Sequence, residues 1–363
     1  MHYIRFVKPP KIVSSRTSNG KKIIALITLT SDLGDSFYPA RALIKTILTT
    51  TGRHGHSDQC KTLTWEAGMR SLQLEFDLNS LDPRQSLQVG VIGQEPERKS
   101  DHAYYPTLPP DMVTPIMAAR SLPFTPDQHG EAAKKAERQL RLPGGSVLSI
   151  CEDTGDSIAR HVWDAGVMLT AYLSQCAAHQ RRVLPILEQL FEAIGRKQLN
   201  VIELGSGCGI VGIGLAQAVP NCNVLMTDLA EGEELIRTNL SRMRAAAGSA
   251  AEFMVLDWEV ELSPLVPRTV FDLIVLADCT YNPSSAAGLV KTLVSLLRMS
   301  PKASIVAAMK VRHPSEAVFF DLMLGAGLLQ RGHTAIQLPS TIACEEKEAP
   351  EKIDVYVFQD QGS

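Results

Sequence analysis

A short stretch in the second half of the sequence combines glycines with acidic residues. Apolar residues 201–204, interrupted by Glu203, lead into the turn Gly205-Ser206-Gly207-Cys208-Gly209, and a helical pattern follows. Glycine allows a tight turn and lets the backbone approach a ligand without a Cβ in the way. In an open α/β sheet, ligands bind at the carboxyl ends of the strands, where this turn would lie. The stretch therefore predicts a ligand site, although a structural strand–turn–helix with capping residues would show the same pattern.

Three details indicate which ligand the turn would favour. The G-x-G-x-x-G pattern of dinucleotide enzymes requires glycine at position 210, where this chain has Ile210. Glu203 would repel a pyrophosphate but can accept hydrogen bonds from an ammonium group. Asp228, at the end of the next predicted strand, can accept hydrogen bonds from a ribose. An adenosine ligand with an amino-acid tail fits all three, and S-adenosylmethionine is such a molecule, whereas a dinucleotide oxidoreductase is disfavoured.

Alternating strand and helix patterns surround the turn. Strands are predicted at 200–204, 222–227, 252–256, 271–277 and 303–309, and helices at 210–218, 231–244, 284–298 and 315–325. The continuous apolar run at 273–276 is typical of a strand buried on both faces of a parallel sheet. Two further β-leaning runs, 328–338 and 353–359, predict an antiparallel hairpin at the sheet edge. We expect an α/β fold with a doubly wound, mostly parallel seven-stranded sheet.

The first half has a different pattern. Residues 3–7, 23–29, 72–78, 87–92 and 146–151 favour strands, and residues 37–48 and 131–140 favour helices. Seven prolines make residues 94–128 a predicted long loop or disordered insertion. We therefore divide the chain into an N-terminal, β-rich α+β extension, residues 1–145, and an α/β domain, residues 146–363.

Composition and charge exclude several classes of protein. The chain has 36 Lys+Arg against 39 Asp+Glu, so it lacks the basic footprint of a general nucleic-acid binder. The start carries no apolar stretch typical of a signal peptide, and the apolar runs are too short to span a bilayer. The seven cysteines are scattered and never spaced as CxxC, so we predict neither disulfides nor a bound metal. We expect a soluble monomer of the cytoplasm, with the nucleus as a second compartment, and no nucleic-acid or membrane partner.

Residues 158–310 resemble the seven-stranded S-adenosylmethionine-dependent methyltransferases, and among them the protein-lysine group that includes the methyltransferase-like 21 enzymes. The motifs are Val162-Trp163-Asp164-Ala165-Gly166, residues 203–209, Thr227-Asp228-Leu229, Leu256-Asp257-Trp258 and Ala277-Asp278-Cys279-Thr280-Tyr281. The resemblance implies S-adenosylmethionine as cofactor. The cofactor-site residues predicted from it and from their chemistry are Trp163, Glu203, Gly205, Ser206, Gly207, Asp228, Leu229, Asp257, Trp258 and Ala277. The resemblance leaves residues 1–145 unexplained.

Asp278 and Tyr281 are the predicted catalytic residues. They match the Asp-x-x-Tyr pattern of the lysine group, whereas amide- and base-directed enzymes carry two prolines between the acid and the tyrosine. Methyl transfer needs a neutral amine held in line, and a carboxylate and a phenol at the end of one strand could steer it. The resemblance thus implies N-methylation of lysine side chains in a protein substrate. Asp278 could instead be a helix cap.

Alternatives remain at this point. The same fold could methylate a small molecule or a protein histidine, or the chain could be an S-adenosylmethionine-binding scaffold without turnover. In the enzymatic cases we expect substrate recognition in the N-terminal extension and in the loops 282–284 and 310–314.

Overall fold

The structure is a computed structural model that describes residues 1–14, 20–52, 55–78, 82–94, 112–127, 130–155, 160–180, 184–192, 197–262, 269–339 and 351–362. The first ten strands are β1 (His2–Ser14), β2 (Lys21–Thr30), β3 (Ala42–Gly52), β4 (Gly55–Trp65), β5 (Leu72–Leu78), β6 (Ser86–Gln94), β7 (Ile116–Met117), β8 (Ala119–Ser121), β9 (Lys135–Arg141) and β10 (Val147–Asp153). They form a four-stranded sheet, in the order β5-β2-β1-β7, and a six-stranded sheet, in the order β10-β9-β8-β6-β3-β4.

A third sheet alternates with helices. Its strands are β11 (Leu199–Leu204), β12 (Cys222–Asp228), β13 (Ala250–Val255), β14 (Leu273–Ala277), β15 (Ser304–Met309), β16 (Leu328–Gln337) and β17 (Lys352–Asp360). The helices are α1 (Asp164–Ala177), α2 (Pro185–Glu192), α3 (Ile210–Ala218), α4 (Glu233–Arg242), α5 (Pro283–Met299) and α6 (Val318–Gly325). None of the helices in the described residues has the length and apolar character needed to cross a bilayer.

The third sheet confirms the predicted fold class. Its order is β13-β12-β11-β14-β15-β17-β16, with the first five strands parallel and β17 antiparallel to both of its neighbours. The predicted apolar run alternates between the two faces: Leu273 and Val275 join the core beneath α1 and α3, while Ile274 and Leu276 join the core beneath α5 and α6. The predicted hairpin at the edge is β16–β17.

Two predicted helices of the extension are wrong. Residues 42–52 form β3, which pairs with β4 and β6, because alternate residues such as Ile44 and Leu48 are buried in a sheet rich in β-branched side chains. Residues 135–141 form β9, where Glu137 accepts a hydrogen bond from Arg242 of α4 and Arg138 donates to Glu152 of β10. In the described part of residues 1–142 the secondary structure is entirely β.

The proline-rich stretch lies largely outside the described residues. Of residues 94–128, the structure describes 94 and 112–127, and the latter contain β7 and β8. The division of the chain near residue 145 stays a prediction. The structure adds that β10, just beyond that point, pairs antiparallel with β9 along its full length.

One hydrophobic core joins the extension to the third sheet. Tyr3 of β1, together with Met112 and Met117, belongs to the same buried cluster as α1 and α3. A second core lies within the extension and is centred on Ile4, Ile27, Ile44 and Trp65. Because the first of these cores is shared, the extension is packed against the domain that carries the predicted site.

Candidate active site

The glycine turn connects β11 with α3, as predicted. Gly205, Gly207 and Gly209 all have left-handed backbones, with φ of 66°, 54° and 80°. A Cβ on Gly205 would lie 2.7 Å from Cys279 Sγ and 3.2 Å from the Trp258 ring. Glycine is therefore required at position 205 both by conformation and by space. This contact brings three of the predicted motifs together.

Glu203 is enclosed at the end of β11. Glu203 is only 2% exposed, and its carboxyl Oε2 accepts a hydrogen bond of 3.0 Å from the Gly212 amide in the first turn of α3. A Cβ on Gly212 would lie 2.5 Å from that oxygen, so the glycine is what admits the carboxyl group. Burial raises the pKa of Glu203 to about 8. A buried carboxyl of this kind is stabilised in its charged form by an incoming cation, such as an ammonium group.

Asp228 ends β12 beside the glycine turn. Its Oδ2 accepts a hydrogen bond of 2.6 Å from the Gly207 amide, and its Oδ1 accepts one of 2.7 Å from the Leu229 amide. Burial raises the pKa of Asp228, which these two bonds oppose. A carboxylate has about four lone-pair sites, so each oxygen retains capacity for one ribose hydroxyl. The neighbouring Leu229 side chain is exposed.

Ser206 ties the turn to β12. Its amide donates to the Thr227 carbonyl at 3.0 Å, and its hydroxyl accepts from the Thr227 amide at 3.1 Å. The Thr227 hydroxyl in turn donates to the Glu203 carbonyl at 2.7 Å. Ser206 thus holds the turn in place through the neighbouring strand.

Asp257 and Trp258 follow β13. The Asp257 carboxylate accepts a 2.9 Å hydrogen bond from the Glu259 amide, and the carbonyl of Asp228 accepts one from Leu256. Trp258 Nε1 is buried and has no hydrogen-bond partner among the described residues. Because a buried indole N–H usually finds an acceptor, this orphaned donor is consistent with a ring that faces a ligand. Gly288 of α5, which the motifs did not indicate, gives the Trp258 carbonyl room: a Cβ there would lie 2.7 Å from it.

Ala277 ends β14, and the two predicted catalytic residues follow. Asp278 has a left-handed backbone, with φ of 52°, and its side chain is 7% exposed. Its Oδ1 accepts hydrogen bonds of 3.0 Å from both the Lys310 amide and Arg312 Nη1. Its Oδ2 accepts from Arg312 Nη2 at 3.1 Å and from the Ala165 amide of α1 at 3.4 Å. The carboxylate is therefore already engaged by four donors, which the sequence did not predict.

Tyr281 is placed differently from Asp278. Its side chain is 56% exposed, so the phenol is accessible. Partial burial, followed by the nearby Cys279 and Asp228, raises its pKa, and the phenol is neutral near pH 7. Cys279 itself is a buried thiol whose Sγ donates to the Leu204 carbonyl at 3.3 Å. This contact and the burial of the thiol indicate a packing role for Cys279 rather than a catalytic one.

Trp163 immediately precedes α1 and contacts the arginine that binds Asp278. The Arg312 guanidinium carbon is 5.5 Å from the centre of the Trp163 ring. Asp164, the next residue, is fully buried and accepts hydrogen bonds from Tyr3 Oη at 2.7 Å and Lys310 Nζ at 2.9 Å. Lys310 and Arg312 both follow β15, the strand beside β14.

Several of these residues were missed by sequence reasoning. Asp32 accepts from Arg312 Nη2 at 2.6 Å and lies 3.6 Å from Lys310 Nζ, although 280 residues separate Asp32 from Arg312. Burial acts to raise the pKa of Asp32, yet Lys310 and Arg312 hold it below its ordinary value. No local spacing connects such distant positions. The sequence did indicate that Lys310 and Arg312 could lie near Asp278, because they follow a strand predicted to be parallel to the one that precedes Asp278.

The residues around the turn fit an adenosine ligand with an amino-acid tail. At Gly205 the absence of a Cβ leaves room next to Cys279 and Trp258. Trp258 offers a flat apolar ring with an unpaired N–H, and Asp228 offers free lone pairs for a ribose. Glu203 offers an acid for an ammonium group. The structure thus brings together all the predicted positions from 203 to 281 along the carboxyl ends of β11, β12, β13 and β14.

Comparison with known proteins identifies a protein family that this chain matches. The model of a family described as lysine methyltransferase matches residues 144–326. A UPF0665 family protein of Schizosaccharomyces pombe is 28% identical over 89% of this chain and 93% of its own length. The protein-lysine N-methyltransferase EFM6 of Saccharomyces cerevisiae is 29% identical over 48% of this chain and 73% of its own. A solved magnesium protoporphyrin IX methyltransferase from Synechocystis, with bound S-adenosylmethionine, has 15% identity and a TM-score of 0.35 over 57% of this chain and 87% of its own.

Proposed function

This chain belongs to the lysine methyltransferase family and is an S-adenosylmethionine-dependent methyltransferase, and we propose that its substrate is a lysine side chain of another protein. The observation that carries the proposal is the placement of Asp278 and Tyr281 immediately after β14, beside the glycine turn. The relative from S. cerevisiae, which is named a protein-lysine N-methyltransferase, supports the same substrate class.

The described residues suit the separate demands of methyl transfer. When bound, S-adenosylmethionine supplies a methyl group on a positively charged sulfur, and a neutral amine attacks its carbon in line as the carbon–sulfur bond breaks. Glu203 would hold the amino group of the cofactor, Asp228 the ribose and Trp258 the adenine. The attacking nitrogen must have given up a proton. The accessible oxygen of Tyr281 can accept a hydrogen bond from the target amine and orient it.

A second candidate is a protein that binds the cofactor without turnover, and one observation favours it. Arg312 pairs with both carboxylate oxygens of Asp278, so that carboxylate has little remaining capacity for a substrate amine. Methylation of a protein histidine or a small molecule is the remaining alternative on the same fold.

The test is to incubate a cell lysate with the full-length protein and S-adenosylmethionine labelled in the methyl group, then to locate the label by mass spectrometry. Label in protein lysine supports the proposal. Label confined to histidine or to small molecules overturns the lysine assignment. Absence of label, when S-adenosylhomocysteine still raises the melting temperature, identifies the scaffold. An Asp228→Ala variant, which we expect to bind the cofactor more weakly, is the matched negative control.

The catalytic assignments need their own variants. Tyr281→Phe removes only an exposed hydroxyl, so we expect normal folding and cofactor affinity with turnover lowered at least about tenfold. Asp278→Asn keeps the side-chain shape, and we expect turnover lowered about a hundredfold, comparable to the loss of one preorganised polar group. Unchanged turnover in either variant would remove that residue from the catalytic set.

A further inference from the structure

One guanidinium group is shared between the N-terminal extension and the end of β14. Arg312 donates to both oxygens of Asp278, at 3.0 and 3.1 Å, and its Nη2 also donates to Asp32 Oδ2 at 2.6 Å. The side chains of Asp32, Asp278 and Arg312 are 1%, 7% and 16% exposed. A paired contact of this kind fixes the orientation of a guanidinium as well as its position.

The loop that carries Asp32 is held in shape by its own contacts. The Ser31 amide donates to the Ser36 carbonyl at 2.9 Å, and the Leu33 amide donates to Asp32 Oδ1 at 3.0 Å. From β1, Arg5 Nη2 donates to the Asp32 carbonyl at 2.7 Å. The extension therefore presents the Asp32 carboxylate to Arg312 in one fixed place.

The conformation of Asp278 needs stabilising contacts such as those with Arg312. Its left-handed backbone, with φ of 52°, is uncommon for a residue other than glycine and must be stabilised by its surroundings. Arg312 supplies two of the four hydrogen bonds to its carboxylate. Arg312 also lies against Trp163, a predicted cofactor-site residue. A shift of the guanidinium would consequently be transmitted to both sides of the predicted active site.

We propose that Asp32 is a positioning residue for methyl transfer, acting through Arg312 on Asp278, so that the N-terminal extension completes the methyl-acceptor side of the active site. This inference rests on the proposed function. Asp32 and Asp278 share one cation, and the shorter bond to Asp32 draws Nη2 away from Asp278. Without the charge of Asp32, Arg312 is left to Asp278 alone, and that carboxylate is less able to orient a bound amine for attack in line.

The test compares Asp32→Asn with wild type in the full-length protein, using the acceptor identified by the labelling experiment. We expect kcat to fall about ten- to a hundredfold, because small displacements at a reacting centre have effects of this size. We expect the KM for the acceptor and the dissociation constant of S-adenosylhomocysteine to change less than about threefold, since neither the glycine turn nor Asp228 is touched. Asp35→Asn is the matched control: Asp35 lies on the same loop but is exposed, and we expect unchanged kinetics.

A second variant separates positioning from loss of folding. Arg312→Lys keeps the positive charge but cannot bridge two carboxylates with a planar group, so we expect a similar fall in kcat. In the Arg312→Lys background, Asp32→Asn should lower kcat by less than about twofold, because its route of action is already broken. Full additivity of the two changes would overturn the proposal, as would normal kcat in a folded Asp32→Asn protein. Absence of methyl transfer by the wild type overturns the proposed function and this inference together, whereas transfer that Asp32→Asn leaves intact overturns only the role of Asp32.

Discussion

Glu203 connects the protonation state of the predicted cofactor site to the stability of the fold. In the folded chain, burial raises the pKa of this carboxyl to about 8. In the unfolded chain a glutamate ionises near pH 4.3. Between these two values the folded state holds a proton that the unfolded state has lost, so stability decreases as the pH rises from about 4.3 to about 8 and then levels off. At pH 7 the cost is about 3 kcal/mol.

Glu203→Gln removes this cost, because glutamine does not titrate and can still accept the hydrogen bond from Gly212. We expect the variant to be more stable than wild type at pH 7 by about 3 kcal/mol. For a chain of 363 residues, this corresponds to a rise in Tm of about 4 °C at an unfolding entropy of about 2 cal/mol/K per residue. The difference should shrink towards zero as the pH approaches 4.5. Differential scanning calorimetry across pH 5 to 8.5 measures it.

Although Glu203→Gln should make the fold more stable, we expect it to weaken cofactor binding. Loss of one charge-assisted hydrogen bond costs about 1.5–3 kcal/mol, so we expect S-adenosylmethionine to bind Glu203→Gln about 10- to 100-fold more weakly. Wild-type binding at pH 7 should release a proton, seen by calorimetry in buffers of different ionisation enthalpy, and the variant should release less. The exposed Glu252→Gln on β13 is the control and should change neither property. Parallel stability curves for wild type and Glu203→Gln would refute the reasoning, because they would mean that the buried carboxyl is not protonated.

Three further predictions follow from single contacts. Gly205→Ala should abolish the rise in melting temperature caused by S-adenosylhomocysteine, since its Cβ has no room and its φ is 66°; Gly155→Ala, with nothing within 4 Å, should retain that rise. Asp228→Ala should raise the dissociation constant of the cofactor by one to two powers of ten, about the value of one charge-assisted pair, and an unchanged constant in a calorimetric titration would contradict the ribose contact. Arg138→Met should lower the free energy of unfolding by about 3–5 kcal/mol, because it leaves the buried Glu152 carboxylate without its partner. Denaturant unfolding measures this change, and a clearly smaller loss would contradict the prediction.

The extension shows where local patterns mislead. Residues 131–140 have charges at helical spacing, but β9 forms because Arg138 reaches the Glu152 carboxylate on β10 and the carbonyls of Met117 and Ala118. The helix α1 was not predicted at all. Nearly every one of its residues is buried, so it lacks the polar face that makes a surface helix recognisable.

The predicted catalytic pair also shows what local sequence patterns leave out. Asp278 and Tyr281 were identified from their spacing, and the structure places them at the end of β14 as expected. The Asp278 carboxylate is nevertheless bound by Arg312, which also binds Asp32, and the Asp32–Arg312 pairing spans 280 residues. Such a partner becomes visible only when the extension is folded against the third sheet.

The amino-acid sequence by itself determined the alternating strands and helices from β11 to α6, the glycine turn with Glu203 and Asp228, and the order of the motifs. These features depend on hydrophobic periodicity and on backbone conformations that neighbouring residues decide. Only the tertiary structure decided that residues 42–52 and 135–141 of the extension are strands, that the extension shares a core with α1 and α3, and that Asp32 and Asp278 bind one guanidinium. Those features come from the burial of charge and apolar surface between distant segments, which no local pattern records.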